Sequence, residues 1–168
     1  LGIQNKTVSK WECGLGCPDL SLWPELSAIL GVDMKQMMDG EITSNKPDSG
    51  NIDKVRFYVC PSCGNILVST GSASIFCCGR KLERILPTDA TIAPKITVEE
   101  MDTDYFAIFD HPMAKDHYLS FTAYVKSDRV FLNRLYPEQS PSCRFPITAG
   151  GKLYVYCIKH GLSIYSIK

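Results

Sequence analysis

A chain of 168 residues and 18.7 kDa is long enough for one ordinary domain or two small ones, and a compact body of this size buries roughly 68–70% of its unfolded surface. Its 18 Lys and Arg balance 18 Asp and Glu, which excludes a whole-chain basic field for nucleic acid and an acidic, disordered chain, so any DNA contact must be local. At 45% hydrophobic and 21% charged the composition is that of a soluble globular protein, and no apolar run approaches the roughly 20 residues of a membrane-spanning helix.

Along the chain, residues 1–41 read as helical. Leu22, Leu26, Ile29 and Leu30 recur at three- and four-residue spacing, Pro24 suits a first turn and Gly31 suits a helix end. Met34, Met37 and Met38 predict a second short helix before Gly40. No basic stretch followed by an apolar run marks a signal peptide, so the cytoplasm is the expected compartment. Residues 42–54 are polar, rich in turn formers and aperiodic, as a linker is. Beyond them the texture changes to short β-branched or alternating runs: Val55 to Val59, Ile66 to Thr70, Ile96 to Glu99, Tyr105 to Phe109, Leu119 to Val125, Val130 to Tyr136, Leu153 to Ile158 and Leu162 to Ile167. Turn signals at Lys126-Ser127-Asp128 and Ala149-Gly150-Gly151 separate some of them. The expected class is mainly β, an antiparallel sandwich from residue 89 onward behind a small cysteine-rich segment at 55–88.

Cysteine carries the chemistry. Eight occur in one chain, and in a reducing compartment such richness points to metal ligands or redox groups rather than disulfides. Cys60 and Cys63 form a Cys-x-x-Cys turn, and after thirteen intervening residues Cys77 and Cys78 are adjacent. The turn sets two thiolates on one side of a tight loop at Gly64, and a hairpin bearing the second pair completes a tetrahedral four-sulfur site for zinc or a single iron. Buried free thiols or a vicinal disulfide are the alternatives. Cys-x-x-Cys followed by Cys-Cys-Gly resembles the mononuclear iron site of desulforedoxin and of the N-terminal segment of desulfoferrodoxins, over about Phe57 to Leu86. That resemblance implies iron in four thiolates, as an electron-transfer or structural centre.

All three histidines lie in the β-rich part: His111 and His117 in His-Pro-Met-Ala-Lys-Asp-His-Tyr, and His160 in Cys157-Ile-Lys-His160-Gly. Cys157 and His160 stand close enough along a strand end and turn to face one point, and a loop opened by Pro112 can bring in the other two imidazoles. From about Ile96 to the C-terminus these motifs resemble the iron centre of superoxide reductases, the neelaredoxin and desulfoferrodoxin family. The resemblance implies an immunoglobulin-like seven-stranded sandwich and a ferrous iron with four equatorial histidines, an axial thiolate and a sixth position open to superoxide, which is reduced to hydrogen peroxide. Carried over, His111, His117 and His160 match three equatorial ligands and Cys157 the axial thiolate. The family takes its first histidine from a Glu-Lys-His-type loop, and the matching stretch Thr91 to Val98 holds Pro94 in its place. Three imidazoles and a thiolate suit iron or zinc, with partial occupancy expected. Asp89 and Glu99 are candidate substitutes for the absent ligand. Cys13, Cys17 and Cys143 are expected to be free thiols.

Thr7 to Glu12 and Leu26 to Val32 resemble the second half of a helix-turn-helix domain of the lambda-repressor and Cro type, with a turn near Leu1-Gly2. By that resemblance Gln4, Asn5, Lys6, Ser9 and Lys10 face DNA while Val8 and Trp11 pack inward. Fusion of such a region to a redox-site domain favours a transcriptional regulator that senses iron, superoxide or redox state. The alternatives are an active two-iron superoxide reductase and a non-catalytic metal-stabilised fold. Desulforedoxin-like segments commonly pair, which implies a homodimer.

Overall fold

The structure, a computed structural model, describes residues 2–40, 46–47, 50, 54–88, 90–127, 129–148 and 150–167. Most of the expected linker, together with Leu1, Asp89, Asp128 and Ala149, lies outside the described residues. The chain divides into two compact units, Leu1–Asn45 and Lys46–Lys168.

Among its described residues the first unit holds three short α-helices, α1 (Asn5–Glu12), α2 (Trp23–Leu30) and α3 (Met34–Asp39), with a 3-10 turn at Leu20–Leu22 ahead of α2. Their ends follow local chemistry. Pro24 sits in the first turn of α2 and Gly31 closes it in the left-handed conformation, while the Asp33 carboxylate accepts the N–H groups of Lys35 and Gln36 at 3.0 and 3.2 Å to cap α3. The expectation that Val8 packs inward is corrected: α1 buries none of its residues, and Val8 is 38% exposed. A helix of two turns with no buried face leaves its apolar side chains at the surface. Trp11 is half-buried, and Gln4, Asn5, Lys6, Ser9 and Lys10 are exposed.

The second unit begins with two hairpins, β1 (Arg56–Val59) with β2 (Ile66–Ser69) and β3 (Ile75–Cys77) with β4 (Arg80–Leu82). Seven strands follow: β5 (Lys95–Met101), β6 (Asp104–Asp110), β7 (Leu119–Lys126), β8 (Arg129–Arg134), β9 (Ser142–Pro146), β10 (Gly151–Cys157) and β11 (Gly161–Ile167). They form two antiparallel sheets, ordered β5-β6-β9 and β11-β10-β7-β8. This is the expected sandwich. Phe109, Leu119, Tyr124, Phe145, Leu153, Val155 and Cys157 fill the space between the sheets. β9 was not among the predicted runs: Pro141 precedes it, Pro146 ends it and Arg144 interrupts it, so its sequence reads as a loop.

The outer face of the larger sheet is covered too. Phe57 packs on Phe121 and Tyr154 with ring centroids 5.3 and 5.1 Å apart, and Val55, Ala123, Val125 and Leu162 join them in a second core. With both faces covered, every residue from Leu119 to Val125 is buried. The cysteine-rich segment and the sandwich are also tied through the backbone by Thr88 N–H to Leu162 O at 2.8 Å, while Ile85 N–H to Phe57 O at 2.9 Å closes the segment on itself.

One irregularity shapes the inner core beside Cys157. The β7–β10 register shifts between Tyr156 and Cys157, so that Tyr156 pairs with Phe121 but Cys157 pairs with Leu119. The extra residue, Ser120, turns Leu119 to the inner core, where Cys157 already faces with Leu153 and Val155, while Phe121 faces the outer one.

Candidate metal centres

The first centre is built from two turns. Gly64 N–H bonds Cys60 O at 2.8 Å and Cys60 N–H bonds Asn65 O at 2.9 Å, closing the knuckle between β1 and β2; Gly64 has a φ of +67°, a conformation costly to residues with a Cβ. The second pair sits where β3 turns into β4. Cys77 pairs with Arg80, leaving Cys78 and Gly79 as a two-residue turn with φ of 50° and 73°, the left-handed pair that a tight hairpin requires. Cys78 adopts this conformation although it carries a side chain, at a cost of about 1–2 kcal/mol.

The four sulfurs of Cys60, Cys63, Cys77 and Cys78 lie within 4.8 Å of one another, with Cys63 to Cys77 at 3.6 Å and Cys77 to Cys78 at 4.0 Å. A tetrahedron with metal–sulfur bonds of about 2.3 Å has edges of about 3.8 Å, so the donor set fits a tetrahedral ion. Electrostatics point the same way. The backbone N–H of Cys63 draws the Cys60 thiol down to about 6, whereas Cys63 and Cys60 push Cys78 up to about 12, and Cys63 raises Cys77. Four thiolates cannot share this space without a cation to offset their repulsion. Cys60 is fully buried, while Cys63 and Cys78 form the solvent edge.

The second centre draws on three separate stretches. His111 follows the end of β6, His117 closes a small turn through its N–H to Ala114 O at 3.0 Å, Cys157 ends β10, and His160 lies in the turn to β11. Their donor atoms also lie within 4.8 Å of one another. His111 Nε2 is 3.2 Å from Cys157 Sγ, and His117 Nε2 is 3.4 Å from His160 Nδ1. The three rings meet edge to face, with His117 centroids 4.7 Å from His111 and 4.5 Å from His160. Cys157 is 2% exposed, and its sulfur accepts the N–H groups of Lys159 and His160, each at 3.4 Å. Those two donors orient the sulfur in a buried place.

Both ring environments favour neutral imidazole, the form that binds metal. Burial holds His111 below its ordinary value against a weaker opposing pull from the Pro112 backbone, and its Nδ1 is enclosed without a partner of full hydrogen-bond geometry. His117 is lowered by burial, then by His160 and Lys159, against the pull of Asp116. The loop from Pro112 to Tyr118 is anchored at three points that no spacing in the sequence signals. Lys159 Nζ pairs with Asp116 at 3.1 Å, Met113 Sδ accepts Leu119 N–H at 3.4 Å, and Met113 O accepts Glu138 N–H at 2.7 Å.

The chain is similar in fold to the superoxide reductase of Treponema pallidum, with a TM-score of 0.57, at 19% identity, over 66% of this chain and 96% of that one. The fold is superoxide reductase-like. In sequence the chain is similar to the desulfoferrodoxin of Clostridium acetobutylicum, 26% identical over 113 residues that span 62% of this chain and 90% of that protein. No protein-family model matches the chain.

Within this superoxide reductase-like unit, Lys95 pairs with Asp110 at the end of the β5–β6 ladder, so Pro94 and His111 stand at the next step beyond it. Tyr165 Oη donates to Pro94 O at 2.5 Å. Glu99 pairs with Phe106, four steps farther along the ladder, and it is not among the convergent donors. Asp89 lies outside the described residues. Cys143 is buried in the inner core, and Cys13 and Cys17 are exposed free thiols of the first unit. Among the described residues no helix is long and apolar enough to cross a membrane.

Proposed function

We propose that residues 46–168 form a two-centre, metal-dependent redox or sensor domain. In this reading 55–88 holds an iron or zinc ion at Cys60, Cys63, Cys77 and Cys78, and 89–168 meets superoxide at His111, His117, Cys157 and His160. The convergence of three imidazoles on one buried, doubly hydrogen-bonded cysteine carries the proposal. A ferrous ion held there would supply a one-electron couple, and superoxide that gains one electron and two protons leaves as hydrogen peroxide. The chain's own residues hold the Cys157 sulfur, keep the His111 and His117 imidazoles neutral and tie the two ligand-bearing turns together through Lys159 and Asp116.

With Pro94 beside His111 instead of a fourth imidazole, iron retention and turnover fall below those of a complete centre, which favours sensing over fast catalysis. Metal analysis with an absorption spectrum tests this first, because thiolate-to-iron charge transfer is coloured and zinc is silent. Stopped-flow decay of superoxide then decides: slow decay by iron-loaded protein supports the domain as proposed, and fast decay supports the alternative of an active two-iron superoxide reductase.

Residues 1–41 complete the reading as part of a helix-turn-helix region of a transcriptional regulator. Its supports are the sequence resemblance and the exposure of Gln4, Asn5, Lys6, Ser9 and Lys10. Pairing of two 55–88 segments would make the protein a homodimer, and a light-scattering mass near 18.7 kDa at micromolar concentration refutes it.

A further inference from the structure

Arg134 ends β8, and its partner across the ladder is Phe121, whose ring lies in the outer core beneath the β1–β2 hairpin. From there the guanidinium reaches the cysteine knuckle, 70 residues away in sequence, and donates from Nη1 to Gly64 O at 2.6 Å. Two further features aim it. The Arg134 guanidinium lies over the Tyr136 ring, 5.5 Å from its centroid, and a Cβ at position 64 would stand only 3.3 Å from Nη2. Glycine at 64 therefore serves twice, allowing the left-handed turn and leaving room for the guanidinium beside it.

We propose that Arg134 is a positioning residue for the four-cysteine centre, supplied by the sandwich as an outer-sphere cation. The proposal rests on the reading of Cys60, Cys63, Cys77 and Cys78 as a metal centre. Four thiolates around a divalent ion carry a net charge of −2. A cation hydrogen-bonded to the knuckle offsets part of that charge, and it does so more for the ferrous centre than for the ferric one, which carries −1. Geometry adds a second effect. The Gly64 carbonyl and the Asn65 N–H belong to one planar peptide, so fixing the oxygen orients the whole unit. Arg134 thus links the rigid sheet to the loop that holds half the ligands.

The test uses the full chain as parent, R134Q and R134K, with R144Q as a control, since Arg144 lies over Phe106 on the other sheet. Cadmium loading is followed by thiolate-to-metal absorption, its release by a competing chelator, and the reduction potential on iron-loaded protein. R134Q should release cadmium roughly tenfold faster than the parent, the lower end of what outer-sphere changes cost a metal site. Its iron potential should move to more negative values, by an amount that shrinks as salt is added. R134K, which keeps the charge without the planar fork, should restore the potential while still releasing cadmium faster. R144Q should match the parent in both. R134Q matching the parent in release and potential overturns the proposal, as does R134K matching R134Q in potential. An equal loss of melting temperature in metal-free and loaded R134Q assigns Arg134 to packing and also overturns it. A parent that takes up no cadmium at these thiols overturns the metal reading itself, before any variant is compared.

Discussion

The two centres of residues 46–168 solve one problem, holding thiolate and imidazole donors around a point, by opposite means. The four-cysteine centre is local. Its ligands span 19 residues of sequence from Cys60 to Cys78, and they sit in turns between strands of three or four residues, one of them in a strained left-handed conformation. The histidine–cysteine centre is long-range. Its ligands come from loops at 111 and 117 and from a turn at 157–160, held by a sandwich core that needs no metal to pack. A local site of short strands depends on its ion for order, whereas a site carried on a packed scaffold keeps its shape when empty.

Metal removal should separate them most sharply. Chelation, or Cys77→Ser, should remove one metal equivalent and open residues 57–86 to protease and amide exchange, while amides of β7 and β10 stay protected. Equal loss of protection in both regions breaks the comparison.

Phe57→Ala comes next. Truncating a fully buried ring that packs on Phe121 and Tyr154 should cost about 3–5 kcal/mol. It should loosen the cysteine segment while leaving the His111–Cys157 approach intact. Denaturant unfolding gives the first quantity, and cobalt absorption at the histidine–cysteine centre checks the second.

Pro94→His should sharpen the comparison in the other direction, raising iron retention and superoxide turnover at the second centre only. Iron stoichiometry with stopped-flow decay measures both. No gain at the histidine centre means that position 94 does not face it.

Acid gives the smallest effect. His111 and His117 titrate below the ordinary 6.5 in the folded protein, so as the pH falls the unfolded chain binds protons first. Their contribution to stability is complete above 6.5 and is lost as the pH drops through that value toward the depressed folded ones. Thermal melts of metal-free protein between pH 8 and pH 5 should show a falling melting temperature, and His111→Gln should flatten the slope.

Much of this was legible in the sequence because its causes are local. Pro24 and Gly31 bound a helix through their own backbone preferences, and alternating or β-branched runs marked the strands from β5 to β8, β10 and β11. The Cys-x-x-Cys and Cys-Cys-Gly spacings announced a sulfur site, because turn geometry acts within a few residues. β9 stayed hidden, since its two prolines and Arg144 read as loop and only pairing with β6 makes it a strand. The inward role expected of Val8 failed for the matching reason: burial needs a partner surface, and periodicity alone does not supply one.

The histidine centre divides along the same line. Residue types and order pointed to His111, His117, Cys157 and His160 by resemblance, but spacing alone could not say that a chain 46 residues apart closes to 3.2 Å between His111 and Cys157. Tertiary structure decided that, through the sandwich that stacks β6 over β10, with Leu153, Val155 and Cys157 on the inner face of β10. It alone also brought Lys159 to Asp116 and Arg134 to Gly64. Backbone preferences and turn chemistry act over a few residues and can be read along the chain, whereas a side chain's partner is chosen by which strands the core draws together.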